Sequence, residues 1–274
     1  MKPARFLHLV AHRGDAASCP ENTLPAFQSA LDLGVRFVDV DVQISANGVP
    51  VATRNTGVRV NGQTFNVDDL TAAELAQADA SQPERFGERF NGTGIPRLVD
   101  VLSLVTKRPG TTVFATISRS SLARYGHDQV VAQVAEALKP FRSRCIFVCE
   151  DVAAVHRARQ VAHMQIGWVL SACDSHTRIK YEALQPEFLF CDRSLLTGED
   201  RLWRGPWRWV VREVNSIDDA IALAERGVDF VATADVRALS EAMRARAAAQ
   251  ARPQEMQIGD ESTTIARSSV LLDH

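Results

Sequence analysis

The chain has no excess of charge of either sign: 31 Lys+Arg stand against 33 Asp+Glu in 274 residues, a formal net charge of −2. Without a basic surplus nothing is available to neutralise a phosphate backbone, so nucleic acid is not expected as a partner. Long apolar runs are missing too, and no stretch approaches the roughly 18 residues that a membrane span needs. The opening Met1–Val10 contains no full apolar segment of the kind a signal peptide carries; the chain therefore reads as soluble and cytoplasmic. Cysteine is scarce and odd in number, Cys19, Cys145, Cys149, Cys173 and Cys191, which argues against a disulfide framework. Cys145 and Cys149 flank Ile146-Phe147-Val148, a buried-strand pattern that makes them core thiols rather than metal ligands. No internal repeat or low-complexity tract is present. No glycine-rich loop follows the first strand, which removes the main support for a dinucleotide-binding sheet.

What is present is an ordinary globular composition, 46% hydrophobic and 23% charged. A chain of this length buries roughly 70–75% of its unfolded surface and needs no disulfide or structural metal to hold a core. Strand-like apolar runs fall at Phe6–His12, Phe37–Ile44, Thr112–Ile117, Cys145–Cys149, Gln165–Leu170, Phe188–Cys191, Trp209–Val214 and Phe230–Thr233. Amphipathic segments separate them. One carries Leu24, Phe27 and Leu31 and stops at Gly34; another carries Val130, Val131, Val134 and Leu138 and is halted by Pro140. A third starts at Ser216-Ile217-Asp218-Asp219 and stops at Gly227, and Asp235–Ala249 reads as a closing helix. Eight such units with right-handed crossovers predict a TIM (β/α)8 barrel.

One interval breaks the rhythm. After the second strand, about residues 45–97 hold Val49–Thr53, a turn at Asn61-Gly62 and a short helical run at Leu70–Ala76. They predict a small insertion over one end of a single barrel domain spanning 1–249. Residues 250–274 form a C-terminal tail, with a surface strand or a dimer contact as alternatives that leave the oligomeric state open.

In such a barrel the reactive side chains sit at the carboxyl ends of the strands. The first strand ends in His12-Arg13-Gly14, with Pro20-Glu21-Asn22-Thr23 before the first helix, and the second carries Asp39-Val40-Asp41. Residues i and i+2 of a strand share a face, so both carboxylates enter one space. That is costly without a cation between them. A nearby guanidinium and imidazole suit a phosphate ester, the first gripping oxygens in a fork and the second moving a proton. The bland alternatives are a rim histidine and hydrogen-bonded structural aspartates.

His12-Arg13-Gly14, Pro20-Glu21-Asn22-Thr23, Asp39-x-Asp41-Val42, Asn47-Gly48-Val49-Pro50-Val51, Ile95-Pro96-x-Leu98 and Val214-Asn215 followed by Gly227-Val228-Asp229 together resemble the glycerophosphodiester phosphodiesterase family. The likeness covers about residues 5–245. It implies a TIM barrel with a small insertion after the second strand, and metal-assisted hydrolysis of glycerophosphodiesters to glycerol 3-phosphate and an alcohol, within glycerol and lipid metabolism. By the same resemblance His12 is the first catalytic histidine and Arg13 the phosphate ligand. Asp39 and Asp41 are metal carboxylates for Mg²⁺ or Ca²⁺, and Glu21 and Asn22 support the site.

The departures from the family pattern cluster in the site. Asp39 stands where the family carries Glu, and Arg54-Asn55 where it carries His-Asp. Thr116-Ile117-Ser118 replaces Glu-Ile-Lys, and Arg212-Glu213 replaces Trp-Thr. Arg54 stays protonated at any working pH and does not act as a general acid or base. A lost proton-transfer group costs roughly 10²–10⁴ in rate, and two carboxylates hold a hard cation more weakly than three. The sequence therefore predicts weak Mg²⁺ or Ca²⁺ binding, impaired hydrolysis, and binding of a small phosphodiester or phosphomonoester through Arg13 and Arg54. Two alternatives stand beside this reading: an active diesterase whose acid has moved, for example to His127 or His176, and a non-catalytic scaffold barrel.

Overall fold

A computed structural model describes residues 7–196, 202–246 and 248. Its strands are β1 (His8–His12), β2 (Phe37–Ile44), β3 (Pro50–Ala52), β4 (Gly57–Val60), β5 (Gln63–Asn66), β6 (Thr112–Ile117), β7 (Cys145–Cys149), β8 (Gln165–Val169), β9 (Phe188–Asp192), β10 (Arg208–Arg212) and β11 (Phe230–Thr233). Eight of them, β1, β2 and β6–β11, pair in parallel in sequence order, and β11 returns to β1 to close the ring. Helices run between the parallel strands, among them Leu24–Asp32, Leu98–Val105, His127–Leu138, Val152–Gln160, Ser175–Leu184 and Ile217–Arg226. This is the TIM barrel that the apolar runs predict. A final helix follows over 236–246. The expectation of a tail at residues 250–274 falls outside the described residues.

Alternation along each strand sorts the side chains into two layers. Val10, Phe114, Ile146, Val148, Phe188, Phe190, Val210, Phe230 and Ala232 point inward and form one buried cluster. Its rings meet edge to face, Phe114 against Phe188, Phe190 and Phe230 at 5.0, 5.2 and 6.2 Å, a geometry that adds about 0.5–1.5 kcal/mol per pair beyond burial. The opposite faces of the strands join the helices in a second, larger core that includes Phe27, Leu31, Leu98, Leu102, Val134, Phe147 and Val211.

The apolar interior ends one inward step before the carboxyl ends of the strands. Two residues beyond Val10 lies His12; beyond Phe37, Asp39; beyond Phe114, Thr116; and beyond Val210, Arg212. The same alternation that packs the barrel thus points these polar groups into its mouth.

The insertion follows β2. β3 pairs antiparallel with β2, and β4 and β5 form a hairpin turned by Asn61-Gly62, a dipeptide suited to a two-residue hairpin loop. A short helix, Ala72–Leu75, starts at a capping box in which Thr71 and Glu74 satisfy one another's backbone groups. Val51, Val58, Val67, Leu70, Leu75 and Ile95 pack into a core of their own. Arg85 ties this unit to the loop after β1 by donating to the Ala16 carbonyl at 2.7 Å.

Candidate active site

The turn after β1 fixes the first part of the site. Arg13 has a left-handed backbone, φ 62°, held from both sides: its N–H donates to the Asp39 carbonyl at 2.9 Å, and its own carbonyl accepts from the Asn22 N–H at 3.0 Å. Gly14 follows at φ +85°, with the backbone of Ala26 where a side chain would go. The sharp turn leaves His12 facing the barrel interior and swings Arg13 across the end of β2.

Arg13 donates to Glu21 at 2.8 Å and meets Asp41 through Nε at 2.7 Å, the latter a charge contact rather than an aligned hydrogen bond. Asn22 holds Asp41 twice, its amide donating to the carboxylate at 3.0 Å and its carbonyl accepting from the Asp41 N–H at 3.0 Å. Burial works against the Arg13 charge, but Asp41 and Glu21 outweigh it and raise the guanidinium pKa. Arg13 is thus committed to partners within the chain.

Asp39 lies deeper. It is 1% exposed and accepts a 2.7 Å hydrogen bond from the Thr116 hydroxyl, which in turn accepts one at 3.1 Å from Arg212. Its other oxygen is 3.7 Å from Arg212 Nη2 and 3.7 Å from His12 Nε2. Burial pushes the Asp39 carboxyl up, while the Arg212 charge pulls it back. His12 is buried, with Glu213 3.6 Å from its Nδ1. Burial, reinforced by Arg13, Arg212 and Arg54, holds the imidazole well below its ordinary 6.5.

Beside these groups opens a cavity of ≈ 310 Å³, enough for a small ligand. Arg54, Arg119 and Arg212 line it, with Asp41, Thr53, Thr116 and Glu150; His12, Arg13 and Asp39 do not border it. Arg54 is carried by the loop after β3, where the buried Gln43 amide donates to the carbonyls of Thr53, Arg54 and Asn55 at 3.2, 3.0 and 2.9 Å. Arg119 pairs with Glu150 at 3.2 Å. Ser118 lines the cavity and caps the helix Arg119–Tyr125 by accepting from the Ser120 N–H.

The structure therefore brings Asp41, Arg54, Thr116 and Ser118 to the cavity wall; His12, Arg13, Asp39, Glu21 and Asn22 do not border it, but Asp39 touches the wall through Thr116, and Arg13 and Asn22 touch it through Asp41. His127 begins a helix and pairs with Asp151 at 3.1 Å, outside the cavity lining, and His176 lies in the first turn of Ser175–Leu184. Of two further residues that matter here, Arg119 was not expected from sequence, and Arg212 was named there only as a departure from the family pattern, with no role. Arg212 carries a usable signal, since it ends a barrel strand two places beyond the inward Val210.

The donors at the mouth do not compose a divalent-cation site. Asp39 and Asp41 are each engaged by a guanidinium of the chain, and Thr116 beside Asp39 offers a hydroxyl and no charge. Among the described residues no group of three His, Cys, Asp or Glu side chains is placed to hold a metal ion.

Comparison with known proteins decides the lineage. The sequence model of the glycerophosphoryl diester phosphodiesterase family matches residues 12–196. The chain belongs to that family. Within it, a glycerophosphodiester phosphodiesterase of Caldanaerobacter subterraneus subsp. tengcongensis is 28% identical over 249 residues, covering 86% of this chain and 97% of that protein. One from Bacillus altitudinis is 34% identical over 118 residues, 43% of this chain and 47% of its own length. Among solved structures, an Oleispira antarctica phosphodiesterase in complex with the product sn-glycerol-3-phosphate superimposes with a TM-score of 0.73 at 21% identity, covering 86% of this chain and 96% of that one. A Parabacteroides distasonis glycerophosphodiester phosphodiesterase gives 0.70 at 16% identity, over 89% and 99% of the two chains. These structural likenesses show that the barrel is the one this diesterase family uses.

Proposed function

We propose that this member of the glycerophosphoryl diester phosphodiesterase family binds a small phosphoester of the glycerol phosphate class and hydrolyses glycerophosphodiesters poorly or not at all. The observation that carries the reading is the engagement of both mouth carboxylates by the chain's own guanidinia, Asp39 by Arg212 and Asp41 by Arg13, beside a cavity lined by three arginines. Guanidinium forks match phosphate oxygens and hold them without turnover.

The residues divide the work. Arg54, Arg119 and Arg212 present charge to the phosphate, and the hydroxyls of Thr53 and Ser118 are available to its remaining oxygens or to a ligand hydroxyl. Hydrolysis needs one group to take a proton from the attacking oxygen and another to protonate the leaving alkoxide. His12 has the chemistry for the first role but does not border the cavity, and the Arg54 guanidinium holds its protons at neutral pH. Mg²⁺ or Ca²⁺ binding is correspondingly weak in this reading.

A second reading, an active diesterase with a relocated acid, draws on Glu150, which lines the cavity. One pair of measurements separates the two. Calorimetry with sn-glycerol 3-phosphate should give binding, and glycerophosphocholine with added Mg²⁺ or Ca²⁺ should give little or no choline release. Robust turnover abolished by Glu150→Gln would replace the first reading with the second.

A further inference from the structure

A carboxylate removed from water needs a cation or a full set of donors. Among the described residues Asp39 has one hydrogen-bond donor, the Thr116 hydroxyl, and its second oxygen, which is buried, has none. The permanent charge facing that oxygen is Arg212, its Nη2 3.7 Å away, with the His12 imidazole at the same distance. Arg212 is itself largely buried, with a side chain 13% exposed. It lies along the inward ring of Phe190, Cζ 5.1 Å from the centroid, and donates to Thr116. Thr116 therefore passes one hydrogen bond from guanidinium to carboxylate. Arg212 also borders the cavity, so one side chain faces Asp39 and the ligand space together. On the other side of the mouth, Asp41 is taken by Arg13 and Asn22.

We propose that Arg212 is a resident cation. It neutralises Asp39, bars a divalent ion from the Asp39–Asp41 pair, and offers its charge to the phosphoester, so that ligand binding is independent of divalent cations. This rests on the phosphoester reading above. Its converse is specific: without Arg212 the two aspartates become free to take a hard cation of the calcium class, whose flexible oxygen coordination suits them.

The test has a calcium arm and a phosphoester arm. In the first, calcium chloride alone is titrated calorimetrically into the wild type, Arg212→Met, Arg212→Lys and the double variant R212M/D41N. Arg212→Met should bind calcium at least tenfold more tightly than the wild type. Arg212→Lys, which keeps a cation in place, should not, and D41N should remove the gain. Should Arg212→Met be unfolded in EDTA, calcium should restore its near-ultraviolet circular dichroism; failure to do so counts against the proposal, as does calcium affinity equal to that of the wild type. In the second arm the wild type should bind sn-glycerol 3-phosphate equally in EDTA and in millimolar calcium, whereas Arg212→Met should bind at least tenfold more weakly in EDTA and recover with calcium. Wild-type binding that disappears in EDTA overturns the resident-cation role. If no protein in the set binds the phosphoester, the functional reading falls, and the calcium arm still decides whether Arg212 bars the ion.

Discussion

Gly14→Ala probes how the end of β1 delivers Arg13 to the site. At φ +85° an L side chain is strained, which costs about 1–2 kcal/mol. The new Cβ would also stand 2.6 Å from the Ala26 carbonyl carbon and 2.7 Å from its oxygen and Cβ. These are mostly main-chain atoms of the helix Leu24–Asp32 and have no rotamer with which to yield, so overpacking adds about 1–3 kcal/mol. The expected loss is about 2–5 kcal/mol, a drop in Tm of about 4–20 °C for a chain of this size. Gly34→Ala is the internal control. Its φ of +82° imposes the same backbone strain, but no atom of the described residues lies within 4 Å of the added Cβ, so it should lose only the first part, about 1–2 kcal/mol. Thermal unfolding followed by circular dichroism, with both variants and the wild type in one buffer, gives the comparison. A Gly14→Ala protein no less stable than Gly34→Ala would refute the claim that helix contact dictates the turn. If the reasoning holds, the surviving folded fraction should also bind sn-glycerol 3-phosphate more weakly, because the Arg13–Asp41 contact moves with the turn.

Three further outcomes are expected. Burial pushes the Cys145, Cys149 and Cys191 thiols up to about 12 and raises that of buried Cys19, leaving Cys173 as the exposed thiol; a chromogenic disulfide should therefore label about one thiol in the native protein and five after denaturation, and fast labelling of more than one in the native state would contradict the burial. Arg54→Ala removes an exposed cavity-lining cation and should weaken sn-glycerol 3-phosphate binding about tenfold with Tm unchanged; equal affinity would remove Arg54 from the site. Arg54→His alone should not produce glycerophosphocholine hydrolysis, whereas Arg54→His with Thr116→Glu and Arg212→Met should give measurable calcium-dependent release of choline, and full activity from the single change would show that the carboxylate count is not limiting.

The barrel strands were readable because each is a short apolar run bounded by a turn or a helix cap, as at Phe37–Ile44 and Cys145–Cys149. The placement of His12, Asp39 and Asp41 at one end followed from strand alternation and the carboxyl-end rule alone. The pairing of Asp39 with Arg212 was not readable. β2 and β10 are not neighbours in the ring, and only closure of the barrel brings their ends across from one another. Local sequence carries no trace of such a contact. Glu213 stood out in the sequence only as a departure from the family pattern; its contact with His12 was not readable, because it depends on a left-handed backbone, φ 59°, of which a glutamate gives no advance notice. His127, expected near the carboxyl ends of the strands, meets Asp151 just beyond β7, and neither borders the cavity.

The insertion's separate core has a bearing on motion. Val58, Val67, Leu70 and Leu75 are sealed together apart from both layers of the barrel, so the closed hydrogen-bonded ring and the unit carrying the β4–β5 hairpin form two cooperative units of unequal strength. Units with few buried apolar groups open at lower free energy than the global transition. Amide exchange in Gly57–Asn66 should accordingly run ahead of exchange in β6 and β7, through openings that leave the ring intact.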